Sequence, residues 1–129
     1  MAPTHGTPVG LEIPVKDTAR GAAFYSAVFG WQFKPSHLGI PEDKILIFTV
    51  PDGVFPAGGA LRQVEDADIA TVKGTSKVYF YVDDLAAAIE KIVSNGGKKI
   101  SDPIPEGSTG FFQFFEDSEG NGHGLYKYN

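Results

Sequence analysis

Two stretches of this chain follow one plan, 67 residues apart. The first, VGLEIPVKDTARGAAFYSAVFGW, runs from Val9 to Trp31; the second, KVYFYVDDLAAAIEKIVSNGG, begins at Lys77. At that spacing Val15 falls on Val82, Asp17 on Asp84 and Gly30 on Gly97. Internal similarity at a fixed offset constrains architecture more than any local pattern does. Two copies in 129 residues mean a duplicated half-domain rather than a solenoid. The length suits one domain whose halves share a core.

Each copy reads as strand, helix and three further strands. Leu11, Ile13 and Val15 share one face, and Gly10, Glu12 and Pro14 the other, the period of a half-buried strand. Pro14 puts that backbone near a strand end or sheet edge. Asp17 or Thr18 can cap a helix. Its apolar stripe is Ala19, Ala22, Ala23, Tyr25, Val28 and Phe29, and Gly30 suits its left-handed end. Trp31 to Lys34 reads as a short strand, 35–43 as a loop and Lys44 to Val50 as a third strand. Pro51, Asp52 and Gly53 make a turn before a fourth strand over Val54 to Gln63.

The second copy repeats the order. Val78, Phe80 and Val82 oppose Lys77, Tyr79 and Tyr81. Asp83 or Asp84 caps a helix with the stripe Leu85, Ala88, Ile89, Ile92 and Val93, stopped by Asn95, Gly96 and Gly97. A short strand over 98–101, a loop over 102–110, a strand over 111–116, a turn over 118–122 and a last strand over 124–128 complete it. The expected fold class is α+β, with two βαβββ modules, eight strands, and helices near 18–29 and 84–95. The modules are 1–63 and 76–129, joined by a linker over 64–75 in one compact domain.

Net charge is −5 with no basic cluster, which argues against a nucleic-acid partner. The chain has no cysteine, so disulfides, thiolate metal sites and cysteine nucleophiles are excluded; this fits a cytoplasmic protein. The start MAPTHGTP lacks the basic and apolar regions of a signal peptide. No apolar run is long enough to cross a bilayer, so no membrane partner is expected. Exposed sheet edges and aromatic residues predict a homodimer.

The motifs EIPVKD (12–17), AAFYSAVFGW (22–31), VYFYVDDL (78–85), NGGKK (95–99) and DSEGNGHGLY (117–126), in this order, carry a resemblance across nearly the whole chain. They resemble the vicinal oxygen chelate superfamily, which holds glyoxalase I, extradiol dioxygenases, fosfomycin-resistance proteins and bleomycin-binding resistance proteins. The resemblance implies a curved mixed sheet from each half, a ligand cleft enclosed by the two sheets, and helices outside. It also implies where a divalent metal would sit, on His, Glu or Gln side chains of the first and last strands of each half. Those positions here are Gly10, Lys77, Gly124 and a place near Gly58 and Gly59. Glycine has no donor atom and a lysine ammonium is a poor ligand. No metal and no cofactor are therefore expected. Glu12 and His5 are the residues that could substitute. His37 reads as a solvated loop side chain. His123 shares parity with Leu125 and is expected as a packed or surface imidazole on the helix side.

The residues expected to face the cleft and bind ligand are Glu12, Lys77, Tyr79, Tyr81 and Tyr126. Lys77 could hold an anionic group while Glu12 orients it or acts as a base. The same two could equally form a structural ion pair or stand exposed at the cleft rim. The tyrosines could stack on a planar ligand and hydrogen-bond through their hydroxyls, or pack on the sheet or against a second copy. Phe111, Phe112, Phe114 and Phe115 cannot all face one side of a strand, so some belong to the core and some to the cleft. Trp31 and Phe33 could line the cleft, with at least one of them expected in the core. The expected function is a metal-independent protein of this superfamily that binds a small organic molecule in its cleft. The alternative is a glyoxalase-type lyase, isomerase or dioxygenase with a non-standard or metal-free site.

Overall fold

The structure, a computed structural model, describes residues 4–5, 11–51, 59–65, 69 and 77–129. Most of the lead-in, Gly10, most of the Pro51–Gly53 turn, the start of the expected fourth strand and most of the linker lie outside the described residues. The elements are β1 (Leu11–Val15), α1 (Thr18–Phe29), β2 (Gln32–Pro35), β3 (Ile45–Thr49) and β4 (Gly59–Gln63) in the first half. The second half has β5 (Tyr79–Tyr81), α2 (Leu85–Ser94), β6 (Lys98–Lys99), β7 (Ile104–Glu106), β8 (Gly110–Glu116) and β9 (Gly122–Tyr128).

Each half builds its own sheet, on the same strand order apart from one added strand in the second. One has the order β1-β4-β3-β2 and the other β5-β9-β8-β6, with β7 on β8. In each, the first strand runs parallel to the last, and the remaining pairs are antiparallel. The fold is α+β, as the duplicated pattern predicts. The helix ends follow the local chemistry too. Asp17 caps α1 by accepting from the Arg20 amide, and Gly30 closes it at φ 73°. Asp84 caps α2 through the Ala87 amide, and the chain leaves through Asn95 and Gly96.

Three expectations need correction. The 102–110 loop contains a strand, β7, so the described residues hold nine strands rather than eight. Glu106 pairs with Gly110 across a turn that Gly107 closes at φ 54°. Pro105 is tolerated because β7 bonds to β8 on one side only. On α1 the buried residues are Thr18, Gly21, Phe24 and Tyr25, whereas Ala19 and Ala23 are exposed. The helix turns this way because Gly21 admits the sheet: a methyl there would stand 3.0 Å from Val15 and 3.3 Å from Leu61. On α2, Leu85, Ala88 and Ile92 are buried, Ile89 is half-buried and Val93 is exposed.

One core serves both halves. Ile13, Val15, Phe24, Tyr25, Trp31 and Leu61 join Leu85, Ile92, Phe115 and Leu125 in a single cluster. Each such residue contributes about 1.5–3 kcal/mol when fully buried. Trp31 lies stacked between Tyr25 at 4.7 Å and Phe48 at 4.2 Å. Phe33 packs half-buried at the margin. Phe80 reaches from the second sheet to Phe29 at 4.8 Å and Trp31 at 5.6 Å.

Polar bonds cross the same seam. The turn between β8 and β9 brings the Glu119 carboxylate to the start of α1. It accepts from the amides of Lys16 at 2.8 Å and Asp17 at 3.1 Å, and pairs with the Arg20 guanidinium. Helix α1 has no acid in its own first turn, so this carboxylate also answers its N-terminal dipole. Asp117 lies buried beside it. One of its oxygens accepts from the amides of Glu119 and Asn121; the other accepts from the Tyr25 hydroxyl at 2.6 Å and the Asn121 side chain at 2.9 Å. The Asn121 side-chain Nδ2 also donates to the Pro14 carbonyl at 2.7 Å. Since Tyr25 gives its proton to Asp117, its oxygen accepts from His123 Nε2–H at 3.0 Å. His123 is thus the packed imidazole that its parity suggests. Its Nδ1 is buried without a partner among the described residues.

Candidate functional site

The register of the second sheet aligns its outward side chains in three rows. Tyr79 stands opposite Gly124 and Phe114; Tyr81 opposite Tyr126, Phe112 and Ile104; Tyr128 opposite Gly110 and Glu106. Side chains alternate along each strand, so all of these share the face turned away from Phe115 and Leu125, which are buried. The glycines make the face usable. A Cβ on Gly124 would overlap the Tyr79 ring, so that ring lies across the backbone of β9.

Tyr79, Tyr81, Tyr126, Tyr128, Phe112 and Glu106 wall a cavity of about 490 Å³, with Thr109 at its edge. Tyr79 and Tyr81 are 47% and 60% exposed, so their surfaces are open to a ligand. Tyr81 and Tyr128 are stacked at 6.0 Å, and Tyr79 meets Phe112 edge to face at 6.1 Å. The Tyr126 hydroxyl donates to Glu106 at 2.8 Å, and the Tyr81 hydroxyl donates to Asp83 at 2.8 Å. Desolvation, then the bond to Glu106 and its charge, push the Tyr126 phenol up to about 12. The bond to Asp83 raises that of Tyr81. Both phenols therefore keep their protons through ordinary pH.

A second cavity, of about 480 Å³, lies at the seam of the two sheets against Leu11, Phe29, Trp31, Phe48 and Phe80. Tyr79 and Tyr81 border it as well. Its walls are mostly apolar; Trp31 and Phe48 belong to the core cluster, and Leu11, Phe29, Val50 and Phe80 pack against it.

Three of the expected ligand residues, Tyr79, Tyr81 and Tyr126, come together at the tyrosine-lined cavity. The other two lie apart from it. Glu12 stands on the first sheet and forms an exposed ion pair with Arg62 at 2.8 Å. Lys77 places its ammonium 6.0 Å from the centre of the Phe114 ring. Phe112, one of the four rings expected to divide between core and cleft, joins the three tyrosines, and Thr109 comes from the 102–110 loop; Glu106 and Tyr128 complete the wall without having been singled out in the sequence. Tyr128 and Phe112 have the parity of Tyr126 and Phe114, which is the signal that finds them. Glu106 is found only once β7 is seen to pair with β8.

The residues at the family's metal positions do not fit a metal. Gly124 carries no donor, and the Tyr79 ring fills the space above it. The registers place Ala60, rather than Gly58 or Gly59, as the first-half counterpart of Gly124: Glu12 pairs with Ala60 as Tyr79 pairs with Gly124. Alanine offers no donor either. Lys77 is the remaining described position, and no group of three or more His, Cys, Asp or Glu side chains among the described residues could hold an ion.

This arrangement, a duplicated βαβββ unit with a pocket on one sheet face, has relatives. The chain belongs to the Glyoxalase/Bleomycin resistance protein/Dioxygenase superfamily, whose sequence pattern matches residues 8–123. It is 45% identical over 123 residues to a "Glyoxylase-like domain-containing protein" of Didymella fabae, covering 94% of this chain and 93% of that one. Solved structures share the fold at low identity. A glyoxalase-related enzyme from Fulvimarina pelagi superposes with a TM-score of 0.69 at 18% identity, covering 95% of this chain and 88% of that one. The fosfomycin resistance protein FosX from Listeria monocytogenes gives 0.74 at 13% identity, covering 98% and 94%. No helix among the described residues is long and apolar enough to cross a membrane.

Proposed function

We propose that this chain binds a small planar organic molecule on the tyrosine-lined face of its second module, and does so without a metal at the family's ligand positions. The observation that carries this is the meeting of Tyr79, Tyr81 and Tyr126 around a cavity of about 490 Å³. That volume lies in the range of small-molecule pockets, and aromatic walls with a few fixed polar groups are their usual lining. A thermal-shift screen of aromatic compounds and of Zn²⁺, Ni²⁺, Mn²⁺ and Fe²⁺ tests it. A ligand that binds only the native state at a thousandfold excess over its Kd adds about 4 kcal/mol of stability. Organic compounds should raise Tm, the metals should not, and Tyr79→Ala should weaken the organic shift. Near-stoichiometric metal retained through dialysis in untagged protein would overturn the metal-free reading.

A second reading, a metal-independent lyase or isomerase of the glyoxalase type, draws on the names of the relatives. It draws also on the Glu106–Tyr126 pair, a carboxylate and a phenol in hydrogen-bond contact at the pocket wall. Mass spectrometry of screen hits after incubation separates the two, since a converted compound means an enzyme and an unchanged one a binder. We also propose that the chain is a homodimer in solution. Among the described residues β1 pairs only with β4 and β5 only with β9, so each leaves an edge open. Light scattering that shows a monomer at micromolar concentration defeats this.

A further inference from the structure

The polar capacity of the tyrosine-lined cavity is one-sided. Tyr126 commits its proton to Glu106 and Tyr81 commits its proton to Asp83. The remaining lone pairs of those phenols and carboxylates can only accept. The Tyr79, Tyr128 and Thr109 hydroxyls can donate or accept. Most of the wall is aromatic rings, whose faces are the negative ends of their quadrupoles. Glu106 brings a full negative charge onto the wall itself.

Among the described residues no cation on the wall offsets this. Lys77 is not part of the lining; its ammonium lies over Phe114. Lys127 alternates with Tyr126 and Tyr128 on β9 and so belongs to the opposite face. An anionic ligand would meet a carboxylate and π-faces. A neutral planar ligand would stack but supply no counter-charge to Glu106, whose hydrogen bond comes from the neutral Tyr126 hydroxyl. A positively charged one satisfies both features at once, as ammonium groups do over tyrosine and tryptophan rings.

We infer that the pocket selects an organic cation, an aromatic or quaternary ammonium compound, with Glu106 as its counter-charge. This rests on the ligand-binding reading above and assigns that ligand its charge. The test uses three probes of one shape on the full chain: 2-naphthyltrimethylammonium, neutral 2-naphthamide and anionic 2-naphthoate, followed by calorimetry at neutral pH. The cation should bind about tenfold or more tighter than the amide, with the carboxylate weakest. Added salt should narrow that lead.

Glu106→Gln keeps an acceptor for the Tyr126 hydroxyl while removing the charge, and should reduce the lead severalfold. Asp83→Asn should reduce it less, and supplies an independent variant if Glu106→Gln melts early. Glu90→Gln, on the exposed side of α2, should leave it intact. If the amide binds as tightly as the cation, and Tyr79→Ala abolishes both, the charge inference falls while the planar-ligand reading stands. If none of the three probes binds, both fall. A lead that survives unchanged in folded Glu106→Gln also overturns the inference.

Discussion

A methyl group added at Gly59 would meet the ring of Phe48, and one added at Gly124 the ring of Tyr79. The two collisions differ in what can give way. Phe48 is buried and stacked on Trp31, so it has nowhere to move. Tyr79 is half exposed and can swing outward. Gly59→Ala should therefore lose about 1–3 kcal/mol by overpacking. Gly124→Ala should melt closer to wild type but lose affinity for any aromatic ligand, because Tyr79 would leave its row. Paired melts and titrations check both halves; equal losses of stability would show that the Tyr79 ring is as confined as Phe48. At this scale the sequence was readable where parity decides. Tyr79, Tyr81, Tyr126 and His123 all stand on the faces that alternation assigns. Glu12 and Lys77 also have cleft parity, yet Arg62 and Phe114 engage them, and partners so distant in sequence leave no periodic trace.

Helix α2 shows how far a stripe can be read from spacing alone. Leu85, Ala88 and Ile92 are buried as their spacing requires, but Ile89 is only half covered and Val93 is exposed. The centre of the contact is Ile92, which has no accessible surface. Ile92→Ala should cost about 2–5 kcal/mol, as deletions at closed core sites do. Lys91→Ala, exposed one position away, should change little. Chemical denaturation with both variants decides, and similar losses would mean that the helix faces the sheet differently. The order of the other strands, both helices and each cap to within two neighbouring residues were legible because periodicity and capping are local. β7 was not. Ile104, Pro105 and Glu106 look like loop material, and only their pairing with Gly110 to Phe112 makes them a strand.

Across the molecule, the polar seam ties stability to pH. Burial would raise Asp117, but His123 nearby and the bonds from Tyr25 and Asn121 outweigh it and hold the carboxyl below its ordinary 3.8. For Glu119 burial is likewise outweighed, by Arg20 and by the amides of Asp17 and Lys16, leaving it below its ordinary 4.5. Groups depressed on folding contribute fully above their unfolded values, and that contribution is lost as pH falls through the folded ones. Melting temperature should thus begin to drop below about pH 4.5 as these two carboxylates are protonated. Glu119→Gln should melt lower at neutral pH and decline less steeply in acid; circular-dichroism melts across that range check it, and parallel declines would remove Glu119 from the account. The same carboxylate makes the duplication lopsided. Helix α2 is capped by its own Asp84, while the amides of Lys16 and Asp17 ahead of α1 are served from the far end of the chain. A protease cut between the halves would leave the later fragment with its helix ends intact and strip the earlier one of Glu119. Such pieces are wired to recover by recombining with each other, and whatever restores the start of α1 must bring the 117–123 turn with it.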